Sequence, residues 1–333
     1  MPSPFRFTSP VDPTAASDQR AALQGELAGA FGASAPPPEF RLLSPAPGLL
    51  DATWGAVRAS LVTGDAPRTA KELVAAGVAR ANRCAPCLDT HTRTLQAAGH
   101  PALARSVRTG GTPGDAAHAR LLAWGAATAT PGAAAPPAPA GHAPEYLATA
   151  LVCHFLNRLA TALLTGRAPR NGLLPRRRPA ALPAGDRPPY TDAAPPRAAL
   201  AALRAAVTAD DHPSLTDAVR TRVRTTMAER GLRPPDTEPT NRDPLTRSWL
   251  YDALTGLRGA DRPVAALALL TAFTPSQLTA GDVEFWRCTA SGEASGDADL
   301  LRIAAFGAHA AVDRVEAHLA PAPCGRVLAG GPE

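Results

Sequence analysis

Apolar residues along this chain recur at intervals of three and four. Over residues 48–62, Leu50, Trp54, Val57 and Leu61 fall on one stripe, the period of an amphipathic helix. The same period predicts helices over 14–31, 68–82, 84–98, 101–108, 115–128 and 145–165. After a proline-rich stretch it predicts more over 198–207, 213–230, 244–258, 262–273, 276–288 and 297–319. Strand-like alternation persists nowhere, so the expected class is all-α. Residues 1–13 hold four prolines and read as an extended arm. Ala35-Pro36-Pro37-Pro38 breaks the pattern and 39–47 reads as a loop, whereas Gly64-Asp65-Ala66-Pro67 signals a helix start. The low-complexity run 131–144 reads as a flexible linker. The proline- and arginine-rich stretch 168–197 divides a first half, 1–167, from a second, 198–320.

Residues 145–165 are the most apolar segment and reach the length of a membrane span. His154, Asn157 and Arg158 sit in its middle, where charge is costly in lipid, so a buried core helix is expected. His154 then reads as a core histidine with satisfied hydrogen bonds, bordering the candidate site at most. The first 17 residues lack an apolar signal-peptide core, and no 18-residue apolar run is free of charge. These features predict a cytoplasmic protein without a membrane partner.

Composition adds little to this pattern. Aromatic residues make up 5% of the 333, so alanine and leucine must do most of the packing. The net charge of +5 is carried almost wholly by arginine, since Lys71 is the only lysine. Arg176-Arg177-Arg178 is the one basic cluster and lies among prolines. A solvated loop accounts for it better than a nucleic-acid site. Five cysteines do not make a disulfide framework.

The chemistry is concentrated between Lys71 and Gly99. Glu72 is followed by Cys84 and Cys87 in C-x-x-C spacing, then by His91. With Pro86 in a first helical turn, where proline is tolerated, Cys84 and Cys87 stand at i and i+3. Cys87 and His91 stand at i and i+4, so all three line one face. Glu72 would be about 18 Å from Cys84 along a straight helix, too far for chemistry. A break at Asn82-Arg83 would make a helix-turn-helix and fold Glu72 back towards the cysteines. A helix N-terminus lowers a thiol's pKa, and the spacing allows a disulfide between Cys84 and Cys87. Structural zinc would need a fourth ligand, and no second C-x-x-C or H-x-x-H pair follows. Two ordinary buried thiols remain the plain alternative. No P-loop or dinucleotide-binding glycine motif is present, so no cofactor and no metal are expected. Cys153, Cys288 and Cys324 are scattered and read as non-catalytic.

The pattern Glu72, Cys84, Cys87, His91, Leu95 and Gly99 resembles the alkylhydroperoxidase D-like core of the carboxymuconolactone decarboxylase superfamily. The close likeness covers about 30 residues of C-x-x-C-x-x-x-H-x-x-x-L-x-x-x-G, a specific motif. It implies an all-α fold and a thiol peroxidase or disulfide oxidoreductase. By that resemblance Cys87 is the peroxidatic cysteine, Cys84 the resolving one, and Glu72 and His91 the proton relay. The implied partners are a peroxide and a protein or small dithiol reductant. The best-known peroxidase members carry a histidine between the cysteines, where this chain has Pro86. The alternatives are a carboxymuconolactone decarboxylase-like lyase, which would not need the cysteines, and a non-enzymatic redox sensor.

The two halves also look alike. Asp115–Ala126 and Asp297–Ala308 match without a gap at Asp, Ala, Arg, Ala, an aromatic, Gly and Ala. An upstream overlay sets Thr274, Gln277 and Gly281 over Cys84, Cys87 and His91, with Arg262 or Ala266 over Glu72. This predicts two tandem repeats, the second degenerate. Single-copy relatives assemble as oligomers, so either a homo-oligomer or a fused second copy in place of a neighbouring subunit would fit.

Overall fold

Proline starts helices in this protein, which is how a proline-rich chain remains helical. The structure, a computed structural model, describes residues 3–11, 18–165, 193–209, 212–231, 247–290 and 296–319. In the first half the helices are α1 (Asp18–Ala30), α2 (Pro38–Leu42), α3 (Pro47–Val57), α4 (Arg68–Ala81), α5 (Ala85–Ala97), α6 (Pro101–Arg108), α7 (Ala116–Ala127) and α8 (Ala143–Leu163). The second half has α9 (Pro196–Thr208), α10 (Asp217–Arg230), α11 (Ser248–Ala253), α12 (Asp261–Phe273), α13 (Ala280–Thr289) and α14 (Asp297–Leu319). Six of them carry proline at the first or second position, where its missing N–H is no loss and its fixed φ suits the helix. Among the described residues there is no β-strand, only an isolated bridge between Phe5 and Leu164.

Two sequence expectations need correction. Residues 39–47 are not a loop: α2 occupies 38–42 and buries Glu39, Phe40 and Leu42. The helix expected over 244–258 is, within the described residues, only the six residues of α11. Gly256 and Gly259 follow it at positive φ, a conformation that stops a helix. The stretch 166–192, most of the expected divider, lies outside the described residues. Residues 58–62 extend α3 as a π-helical turn, placing Leu61 against the site.

At the centre lies α8. Its Phe155, Leu159 and Leu163 are 1% exposed or less, each such side chain contributing about 1.5–3 kcal/mol by burial. It packs against α4 and α5 on one side and against α9, α12 and α14 on the other. His154 is satisfied there. Asn82 Nδ2 donates to its Nδ1 at 3.0 Å and its Nε2 meets Thr128 Oγ1 at 2.9 Å. Burial and the nearby Arg158 hold its pKa well below the ordinary histidine value, so it is a neutral core residue. Arg158 reaches across to the second half, its Nε donating to Ala272 O at 3.1 Å.

Helix α4 is buried along almost its whole length, so its polar residues must find partners. Lys71, 1% exposed, donates to Thr63 O and pairs with Glu145 at the start of α8. Glu145 also accepts from the backbone N–H groups of Asp65 and Ala66 at 2.9 and 3.3 Å. Lys71→Met should therefore destabilise by about 2 kcal/mol. This is less than the ~3–5 kcal/mol for stranding a bare buried charge, because Glu145 keeps two donors. Denaturant unfolding measures it; an unchanged midpoint would mean the pair contributes nothing.

The helix crossings depend on glycine. A Cβ on Gly125 of α7 would collide with Val74 O of α4, and one on Gly77 with Leu122 O. In the second half a Cβ on Gly307 of α14 would collide with Ala268 O of α12. Gly125 and Gly307 occupy the same place in the ungapped sequence match, and matching Val74 to Ala268 puts Ala266 in the position of Glu72. The helix starts shift the rest of that overlay. Cys84 is the N-cap of α5, whereas the N-cap of α13 is Thr279. Counting from the caps, Asp282 and the fully buried Trp286 stand where Cys87 and His91 stand, in place of Gln277 and Gly281. The link from α12 to α13 includes a 3-10 turn, Pro275–Gln277.

The N-terminal arm, expected to be extended, crosses the junction between the halves. Arg6 N donates to Leu163 O at 2.9 Å and Thr165 N to Pro4 O at 2.7 Å. Arg6 also reaches Ala162 O at 2.8 Å and Leu278 O at 2.5 Å. Ser9 N donates to Asp297 Oδ2 at 2.7 Å, and Arg287 Nη2 to Phe7 O at 2.9 Å.

Candidate active site

The site forms where α4 turns sharply into α5. Asn82 caps α4, and Arg83 takes φ 54°, the one positive-φ non-glycine residue among those described. Cys84 N then donates to Ala79 O at 2.9 Å and Arg83 N to Arg80 O at 3.0 Å. This is a Schellman ending with arginine where glycine is usual. The left-handed residue costs about 1–2 kcal/mol, and the turn lays α5 back against α4.

That turn brings Glu72 to His91. Glu72 Oε2 and His91 Nδ1 are 2.7 Å apart, and both side chains are more than nine-tenths buried. The other oxygen, Oε1, accepts from Arg68 Nε at 2.7 Å. Arg68 is one turn earlier on α4, its guanidinium 5.5 Å from the Phe31 ring centre. With both oxygens engaged, Glu72 connects to the cysteines through His91. Cys84 and Cys87 are joined in a disulfide with Cα atoms 5.4 Å apart, and both are buried. Cys84 is the N-cap of α5 and Cys87 lies in its first turn, where the free helical N–H groups and the dipole favour a thiolate.

The electrostatics favour a charged pair. Burial alone would raise the Glu72 pKa, but the Arg68 charge and the His91 bond bring it below the ordinary carboxylate value. Burial alone would lower His91, but the neighbouring Cys153 and the bond to Glu72 raise it to about 10. At neutral pH His91 is therefore an imidazolium and Glu72 a carboxylate.

A narrow cavity of about 10 Å³ adjoins these groups, lined by Cys87, His91, Glu39, Cys153 and an apolar wall including Phe31 and Leu156. That is room for roughly one water. Glu39, 4% exposed, has an Oε2 with no hydrogen-bond partner, and burial raises its pKa against the bonds it makes. It is held towards the neutral acid. A cleft of about 700 Å³ between α8, α9 and α14 is larger, but none of the four sequence-selected residues line it. Chemistry rather than size marks the smaller cavity as the site. Among the described residues, no group of three or more His, Cys, Asp or Glu is arranged to hold a metal ion.

All four sequence-selected residues, Glu72, Cys84, Cys87 and His91, lie in this one neighbourhood. Arg68, Glu39 and Cys153 were not selected. Arg68 was within reach of sequence reasoning, because it stands at i−4 to Glu72 on one helix face. Glu39 and Cys153 arrive from α2 and α8, and no local pattern ties them to the motif.

Comparison with known proteins agrees with this geometry. A Mycobacterium tuberculosis protein named alkyl hydroperoxide reductase is 43% identical over 159 residues. That match takes in 46% of this chain and 45% of the other, so it spans less than half the relative's length. No solved structure matches the chain significantly. Residues 48–102 match the carboxymuconolactone decarboxylase family, a likeness that takes in α4 and α5 and with which the all-α fold agrees.

Proposed function

We propose that the protein is a thiol peroxidase that reduces organic hydroperoxides at Cys87. The observation carrying this reading is the buried Glu72–His91 pair set one helical turn from Cys87 of a C-x-x-C disulfide. The name of the mycobacterial relative supports it.

In the reduced enzyme Cys87 gives up its proton to solvent, and the thiolate is stabilised beside the His91 imidazolium. The thiolate attacks one peroxide oxygen and the O–O bond breaks. The departing alkoxide takes the proton from His91 and leaves as the alcohol, and Cys87 becomes a sulfenic acid. Cys84 then attacks the Cys87 sulfur, the S–O bond breaks, and hydroxide leaves as water with the Cys84 proton. A dithiol reductant reopens the disulfide by thiol–disulfide exchange, in a reducing compartment such as the cytoplasm. Glu72 is a positioning residue in this scheme: it orients His91 and keeps it charged. The second half is read as a degenerate repeat, with a like glycine crossing but no thiol or histidine at the motif positions, substituting for a neighbouring subunit.

The test is turnover of tert-butyl hydroperoxide with a dithiol reductant, alongside the thiol state by mass. Peroxide should remove two hydrogens and block alkylation of Cys84 and Cys87. Both thiols remaining free would overturn the reading, and activity surviving loss of both cysteines would favour a lyase.

The pH dependence follows from His91. Its folded-state pKa is raised to about 10, so the imidazolium and the stability it contributes are present at neutral pH. Both are lost as pH rises through about 10. The rate of Cys87 oxidation should fall over that same range. Glu72→Gln removes part of what raises His91, so the fall should move to lower pH. An unshifted profile would remove Glu72 from the mechanism.

A further inference from the structure

The His91 ring has a second neighbour that the peroxidase cycle leaves unused. Its Nδ1 is taken by Glu72, and Cys153 of α8 lines the same narrow cavity as the ring. Cys153 is 2% exposed and is a free thiol, while Cys84 and Cys87 are paired. Cys87 and Cys153 line the same narrow cavity, into which Glu39 brings a carboxyl oxygen without a hydrogen-bond partner. Cys153 thus lies beside an imidazole that Glu72 orients and charges, a setting that activates a thiol. The thiol so activated faces the cavity that Cys87 borders.

We infer that Cys153 is a third redox thiol of this centre, placed by α8 on the cavity it shares with Cys87 so as to form a disulfide with it. Only its oxidant, a hydroperoxide, rests on the function proposed above. Starting from the Cys87 sulfenic acid, the Cys153 proton moves to His91 and the thiolate attacks the Cys87 sulfur. The S–S bond forms, the S–O bond breaks, and hydroxide leaves as water with the His91 proton. Starting from the Cys84–Cys87 disulfide, where His91 is charged, Cys153 loses its proton to solvent, its thiolate makes the same attack, and Cys84 is expelled as a thiolate that takes a proton from solvent. This exchange involves no net oxidation. Cys87 can then be resolved from either side: by Cys84 at the helix cap or by Cys153 across the cavity.

The experiment uses the full chain with Cys84→Ser, Cys288→Ser and Cys324→Ser, which leaves Cys87 and Cys153. It is treated separately with tert-butyl hydroperoxide and with diamide, which joins neighbouring thiols without passing through a sulfenic acid. Both reagents should give a linked Cys87–Cys153 peptide and the loss of two hydrogens. If diamide links the pair and hydroperoxide does not, Cys153 keeps its role and the peroxidase reading falls. If hydroperoxide leaves a trappable sulfenic acid at Cys87, Cys153 stays open to alkylation and diamide makes no link, the inference is overturned while the peroxidase reading stands. Two thiols untouched by either reagent would end both. Should the variant not fold, acid-quenched wild-type protein under peroxide must yield the Cys87–Cys153 peptide beside Cys84–Cys87, and its absence counts against the inference.

Discussion

Cys87→Ser should bring hydroperoxide turnover down to the uncatalysed rate without unfolding the protein. The change replaces one sulfur by oxygen in a residue already 2% exposed, so packing is almost unaltered. Serine's hydroxyl cannot ionise near neutral pH as a thiol at a helix start can, so the His91 imidazolium gains no anion to stabilise. The Cys84–Cys87 disulfide is lost as well, but it closes a loop of only three residues' separation. In the chain-entropy account such a short loop contributes about 2 kcal/mol, a modest part of the stability of a domain this size. Near-wild-type unfolding with no turnover is therefore the expected pair of results. Cys84→Ser should differ: Cys87 can still take the first oxidation step, so one equivalent of peroxide should be consumed. Turnover retained by Cys87→Ser would move the chemistry to another thiol.

Gly125→Ala should be among the most damaging small substitutions in the fold. Its Cβ would run into Val74 O, and what it meets is backbone of a helix buried along nearly its whole length. A side chain could rotate away; the α4 backbone can move only by separating α4 from α7. Overpacking typically costs 1–3 kcal/mol, and contact with rigid backbone sets the expectation at about 3 kcal/mol or more. That corresponds to a fall in Tm of roughly 5–10 °C. Because α4 carries Arg68 and Glu72, peroxide turnover should fall too. Gly25→Ala is the control: nothing lies within 4 Å of a Cβ there, and alanine in mid-helix should be neutral or slightly stabilising. Equal melting of the two variants would mean that the close crossing is not a constraint.

Helix positions and the Glu72–His91 encounter were legible in the sequence because both follow from local rules. Proline at helix starts, the 3.6-residue period and a break at Asn82-Arg83 suffice to bring one helix back along the next. Glu39 was not legible. The run of prolines before it reads as a breaker, but Pro38 starts a helix at its first position, and a five-residue helix is too short to show a period. Cys153 was read as a scattered cysteine for the same kind of reason. On α8 it is one buried residue among many, and its significance comes from α5 packing alongside. Lys71 was taken as a mark of composition, yet its ion pair lies 74 positions away in sequence at Glu145. In each case the missing information is which helices touch, and periodicity within one helix does not carry it.

The clamp formed by residues 3–11 constrains the order in which this protein can mature on the ribosome. The arm is bonded to Leu278, Asp297 and Arg287, which follow their partners in it by 272, 288 and 280 residues respectively. At roughly 5–20 residues per second, the emerging arm waits about 15–60 s for its docking surface to exist. During that interval the inner end of α8, with Leu163 and Leu164, lacks its cover and is open to chaperones or to neighbouring nascent chains. Closure of the clamp is thus a late event, and a bulky group joined directly before the arm should delay it.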